Sequence, residues 1–188
     1  MARLKSDEKR RAILKAATHE IAAAGLSAPT SRIATRAGVA EGTLFTYFAN
    51  KQEMLNELYL TLKIEAYQLV NHGFPRDASL EARARHIWSG FLDWSIEFPE
   101  KRKVSTQLSL SDLVTAETRD KTAADRGYID ALLAEVESLS AFRGLPRGYA
   151  AATMGAMQEA AMDFIAKEPG KRGELIERSF DLFWRAVA

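Results

Sequence analysis

Between Thr30 and Lys51 the chain gathers small hydroxyls, a phenol and cations at helical spacing. Thr30, Ser31, Arg32 and Arg36 fall on one short segment, Thr43, Thr46 and Tyr47 on a second, with Lys51 close behind. Hydroxyls donate and accept, and a guanidinium offers a fixed fork of donors, so such a set suits phosphate oxygens and base edges. Nothing comparable points to catalysis. His19, His72 and His86 stand apart and fit no His-Glu-x-x-His spacing. The absence of cysteine excludes disulfides, thiolate nucleophiles and thiolate-held metals. The glycines form no phosphate loop. The expectation is a protein without enzymatic activity, cofactor or metal.

The elements that must position these residues can be read from the stretch Thr30 to Phe48. Either Thr30 or Ser31 could cap a first helix through its hydroxyl. Ile33, Ala34 and Ala37 give that helix one apolar face. Gly38 stands where the chain must leave it, and glycine takes the left-handed conformation without a Cβ penalty. A second helix is expected from about Ala40 to Phe48, with Leu44 and Phe48 turned inward. Two helices around a tight glycine turn form a helix-turn-helix, whose second helix enters the DNA major groove. A plain helix pair would have the same spacing. The polar residues beside the apolar stripe favour the DNA reading.

The run from Arg11 to Leu55 resembles the DNA-binding domain of the tetracycline-repressor (TetR) family of bacterial transcriptional regulators. The residues that carry the resemblance are Ile13-Leu14-x-Ala16-Ala17, Gly25, Thr30, Ile33-Ala34, Ala37-Gly38-Val39, Gly42-Thr43-Leu44-Phe45, Tyr47-Phe48 and Lys51. The family usually has tyrosine at Phe45, so a hydroxyl that commonly reaches phosphate is missing here. The resemblance implies DNA contacts from Thr30, Ser31, Arg32, Glu41, Gly42, Thr43, Phe45, Thr46, Tyr47 and Lys51. It further implies a repressor that binds a palindromic operator as a homodimer and is released by a small-molecule effector.

Charge distribution agrees with a DNA-binding head. Residues 1–52 hold nine Lys and Arg against four Asp and Glu, a net +5, whereas residues 53–188 hold seventeen against twenty-one, a net −4. A basic head on an acidic body is expected where the head alone meets a polyanion. The expected division is therefore a helix-turn-helix domain over 1–52 and a helical effector-binding and dimerisation domain over 53–188. No apolar stretch is long enough to span a bilayer. The charged start MARLKSDEKRR has no apolar signal core, and the expected location is the cytoplasm.

Past the head the pattern is helical throughout, so the fold class is all-α. A first helix is expected from Ser6 or Asp7, with Ile13, Leu14, Ala17, Ile21 and Ala24 inward. Asn50 and Glu53 can start a long helix as a capping box. Helices follow at about 79–98, 116–139, 147–167 and 171–187, with a short one after Pro99. Trp88, Phe91 and Trp94, with Tyr67, Tyr128, Met154, Met157 and Phe164, make an aromatic and methionine cluster. The cluster is either plain core or a pocket for an apolar or aromatic effector, with His86, Gln107 and Gln158 supplying polar contacts. The small residues Ala152, Gly155 and Ala156 and the apolar Ile176, Phe180, Phe183 and Trp184 are the expected dimer interface, as a four-helix bundle of paired C-terminal helices. The alternative function is a helical small-molecule-binding protein that has lost DNA affinity.

Overall fold

The computed structural model describes residues 2–123 and 126–188. Among the described residues the chain forms ten α-helices, two 3-10 turns and no strand. They are α1 (Ala2–Ala24), α2 (Thr30–Arg36), α3 (Glu41–Tyr47), α4 (Lys51–Asn71), α5 (Leu80–Glu97), α6 (Pro99–Ser109), α7 (Ala116–Ala123), α8 (Tyr128–Glu137), α9 (Tyr149–Lys167) and α10 (Arg172–Val187). The helices divide into two compact units. One holds the described residues through Glu65 together with Phe98 to Ala123; the other holds Ala66–Glu97 and the residues from Arg126 onward.

The first unit is built on the apolar periodicity of its first four helices. Ile13, Ala17 and Ile21 of α1 meet Ile33 and Ala34 of α2, Leu44 of α3, and Met54, Leu55 and Leu58 of α4 in one core. Val104 and Leu108 of α6 and Val114 after it complete that core and are buried in it. The packing division therefore differs from a break at residue 52: α6 and α7 belong to the unit of the head, and the apolar residues of α6 close its core. A polar clasp reinforces this. Asn56 of α4 donates to the Leu113 carbonyl (2.8 Å) and accepts from the Thr115 backbone N–H (2.9 Å). Arg119 of α7 donates to the Ser109 and Ser111 carbonyls at 2.9 Å each, satisfying acceptors left free where α6 ends.

The turn between α2 and α3 follows from Gly38. Its φ of +69° lets Val39 N–H reach the Ala34 carbonyl (3.0 Å) and Gly38 N–H the Thr35 carbonyl (3.1 Å). These two bonds make a Schellman motif, which stops α2 and redirects the chain into α3. Asn50 caps α4 as expected: its Oδ1 accepts from Glu53 N–H (2.8 Å), and Glu53 returns a bond to Ala49 N–H (2.8 Å).

The second unit packs α5 against α8, α9 and α10. Trp88 is fully buried and stacks on Phe183 (centroids 5.3 Å) with Phe180 edge-on (6.0 Å). The Arg85 guanidinium lies 4.2 Å from the Phe180 ring and pairs with Glu81, Glu177 and Asp181 around it. Ile176, Phe180, Phe183 and Val187 supply the inner face of α10.

Three local expectations are corrected. Neither Thr30 nor Ser31 caps α2: Pro29 holds the N-cap position, and no side chain bonds there. Helix α1 starts at Ala2 rather than near Ser6. The helix expected over 116–139 is broken into α7 and α8; residues 124 and 125 lie outside the described residues, and Gly127 precedes α8 at φ +56° with Asn71 3.0 Å from where a Cβ would stand.

Candidate nucleic-acid interface

Helix α3 turns Leu44 and the following Phe48 into the core, which forces the rest of its length outward. Glu41, Gly42, Phe45 and Thr46 are exposed, and Thr43 and Tyr47 are half-buried. Phe45 leaves 43% of its surface in solvent, a cost that an apolar contact with a thymine methyl would remove. Thr46 donates to the Thr43 carbonyl (2.6 Å), so its lone pairs are what it can offer outward. Thr30, freed from capping, donates to Glu41 Oε1 at 2.6 Å. That bond joins the first residue of α2 to the first of α3.

Helix α2 exposes Ser31, Arg32, Thr35 and Arg36 on one side. Below them lies Glu20 of α1, 3% exposed. Arg36 Nε donates to Glu20 Oε1 at 2.5 Å, and Arg32 Nη2 stands 3.0 Å from Oε2 without hydrogen-bond alignment. The Arg36 bond, helped by the charges of both arginines, holds the Glu20 carboxyl below the usual carboxylate range despite the opposing effect of burial. Arg32 thus faces the Glu20 carboxylate of α1 while 59% of its side chain stays in solvent.

Two more cations are partly committed within the unit. Lys51 Nζ donates to the Ala28 carbonyl (2.7 Å), and burial pushes the ammonium's pKa down. Arg10 forks onto both carboxylate oxygens of Glu57, donates to the Tyr47 carbonyl (3.1 Å) and lies 4.8 Å from the Phe48 ring. Its role is to brace the end of α3 between α1 and α4. Sequence reading missed Glu20. The available signal was a lone acid on the inward stripe of α1, one turn beyond Ala17.

Residues 13–58 match the model of the bacterial regulatory proteins, tetR family. Over nearly the whole chain the structure is similar to that of a protein described as a TetR-family transcription regulator from Shewanella sp. PV-4, with 27% identity, a TM-score of 0.79, and 96% of this chain and 98% of that chain covered. Residues 13–58 are a DNA-binding domain of the tetR family, and the whole chain shares the fold of TetR-family regulators. That domain makes the chain a DNA-binding transcription regulator. The same fold is seen in a TetR-family transcription regulator from Marinobacter aquaeolei VT8, at 23% identity and a TM-score of 0.86 over 99% of this chain and 98% of that one. It is seen also in the TetR-like regulator LfrR from Mycobacterium smegmatis in complex with proflavine, at 18% identity and 0.69 over 96% and 98%.

The expected effector residues are divided between the two units. Gln107 lies on α6 in the first unit, whereas the other nine lie in the second. Trp88 and Met154 are core. Tyr128 stacks on Phe74 (4.9 Å), and Phe74 meets His86 edge-on (5.7 Å). His86 Nε2 stands 2.9 Å from the Val70 carbonyl, so that nitrogen carries the proton. These two residues therefore pin the turn after α4. Tyr67, Phe91 and Met157 are half-buried against the core, and buried Gln158 donates to the Trp88 carbonyl (3.4 Å). Trp94 and the adjacent Ser95 are buried, and the indole N–H and the hydroxyl have no partner among the described residues.

The expected interface residues also separate. Ile176, Phe180 and Phe183 are buried within one subunit, because they are the face by which α10 packs on α5 and α9, and Trp184 stacks on Phe180 at 6.0 Å. Ala152 and Ala156 are exposed and Gly155 half-buried. They continue a stripe along α9 that includes Tyr149 and Phe164, exposed by 48% and 57%, with Leu182 of α10 exposed by 64%. Among the described residues no three His, Asp or Glu are placed to hold a metal, and no helix is long and apolar enough to cross a membrane.

Proposed function

We propose that the chain is a cytoplasmic, non-enzymatic repressor that binds a two-fold operator as a homodimer and releases it when an apolar or aromatic effector binds. The observation that carries the DNA part is the outer face of α3, where Phe45, Thr46, Glu41 and Gly42 stand clear of a core that holds the helix by Leu44 and Phe48. Thr43 and Tyr47 flank that face, Ser31 and Arg32 extend it onto α2, and Lys51 keeps two ammonium donors beyond its bond to Ala28 for backbone phosphate. One such face makes too small a footprint for tight recognition; two, about 34–36 Å apart, match one turn of DNA.

The dimer is supported by the α9 stripe. Tyr149, Ala152, Ala156 and Phe164 lie on one side of the helix, and contiguous exposed apolar surface of this kind marks an interaction site. The effector is proposed to contact the α5 turn that holds Phe91, Trp94 and Ser95, since two buried donors without partners call for an acceptor. The proflavine complex of the M. smegmatis relative supports an aromatic effector. An effector shifts DNA affinity only by its unequal affinity for two conformations. Helix α4 carries residues of both units, so it is the proposed path for that shift.

The test is footprinting on genomic fragments at physiological salt, with the mass of the protein and of its complex measured by light scattering. A protected palindrome bound by a dimer supports the reading. Absence of any protected fragment refutes operator binding and leaves a ligand-binding protein.

A further inference from the structure

We infer that Glu20 is a positioning residue for DNA binding, holding Arg32 and Arg36 so that they line one recess for a backbone phosphate. This rests on the proposed operator binding and adds a residue that the helix-turn-helix motif does not include.

Glu20 is the one charged residue among the buried described residues, and it sits on the core-facing stripe of α1. An apolar side chain there would fill the same space without desolvating a carboxylate. A buried ion pair is commonly no more stabilising than a hydrophobic replacement. Stability alone does not call for an acid at this position, whereas the geometry gives it another task. Arg32 and Arg36 are four residues apart on α2, so two like charges share one helix face and repel. Glu20 lies beneath both, fixes Arg36 by a hydrogen bond and draws Arg32 by charge. The pair is thereby held on the same side, the three residues together carrying a net charge of +1, and rotamer entropy that a free arginine would lose on meeting DNA is already lost.

The recess that results has a volume of about 450 Å³ and is lined by Glu20, Ser31, Arg32, Thr35 and Arg36. Its donors are the outward guanidinium N–H groups and the Ser31 hydroxyl, because the Thr35 hydroxyl already donates to the Ser31 carbonyl (2.9 Å). No apolar side chain other than the stems of these residues lines it, which suits a phosphodiester and not an apolar ligand. The misaligned 3.0 Å contact lets Arg32 turn its fork to phosphate, while Arg36, bonded to the carboxylate through Nε, offers its remaining N–H groups to the same phosphate.

The experiment measures binding of the full chain to its footprinted duplex and to an unrelated duplex across a salt series, for wild type, Glu20→Gln, Arg36→Gln and the double variant. The expected result for Glu20→Gln is about a tenfold weaker operator complex with non-specific binding equal or tighter, since a negative charge facing DNA has been removed. Arg36→Gln should reduce the salt slope by about one. The double variant should lose less operator affinity than the two single losses summed, because part of the effect of Glu20 passes through Arg36. Unchanged operator affinity in folded Glu20→Gln, or equal losses on both duplexes, overturns the inference. Should Glu20→Gln fail to fold, Arg32→Gln and Arg36→Gln, both on exposed side chains, decide it: wild-type salt slopes in both refute the phosphate recess. If wild type protects no site, operator binding itself fails, a result distinct from either.

Discussion

Replacing Phe180 by alanine separates the core reading of α10 from the interface reading. The ring is fully buried, with Trp88 at 6.0 Å, Phe183 at 6.4 Å, Trp184 at 6.0 Å and the Arg85 guanidinium at 4.2 Å. Removing it leaves a cavity that these large rings cannot readily fill, and truncating a buried phenylalanine costs about 3–5 kcal/mol. That is a sizeable share of the roughly 5–15 kcal/mol that holds a typical domain folded. For a chain of this length each kcal/mol lowers the melting temperature by about 2–4 °C, so the expected fall is roughly 6–20 °C. Thermal and urea melts followed by far-ultraviolet circular dichroism would measure it, with light scattering to record mass. A variant that melts within about 2 °C of wild type while changing its oligomeric state would refute the placement of Phe180 inside the subunit.

Other outcomes follow from the same reasoning. Phe164→Glu places a charge on the exposed α9 stripe and is expected to keep the helical content while converting a dimer to a monomer at micromolar concentration, read by light scattering. Lys51→Ala strands the buried Ala28 carbonyl, so stability should fall by about 1–3 kcal/mol, and the salt slope of DNA binding should flatten by about one. Asn50→Ala removes the α4 cap and should cost about 1 kcal/mol in a urea melt. Glu20 has a depressed folded pKa, so its contribution is present above the ordinary carboxylate range and is lost as pH falls through the folded value. The gap in urea midpoint between wild type and Glu20→Gln should therefore narrow on acidification below that range.

Local rules made much of this protein legible before its structure. The position of α2 and α3, the glycine stop at Gly38, the Asn50 cap and the all-α class depend on interactions within a few residues, and the chain order carries them directly. The core of the head was legible too, because Ile13, Ala17, Ile33 and Leu44 repeat at helical spacing. Periodicity says that a residue is buried, though not against what. That is why Phe180 and Phe183, read as a face for a second subunit, proved to be the face for α5 and α9, while Phe164, outside the predicted interface, is exposed.

Partners distant in sequence were decided by tertiary packing alone. Pro29 displaced Thr30 from capping and sent its hydroxyl to Glu41, eleven residues on. The fold brought α6 and α7 into the unit of the head, where Val104 and Leu108 are fully buried in its core and Arg119 ties α7 to the end of α6. It also set Glu20 beneath Arg32 and Arg36, a pairing across α1 and α2 that chain order does not show. A sequence specifies the side chains and their local geometry. Which charges neutralise each other depends on distances in space, and only the packed helices set those.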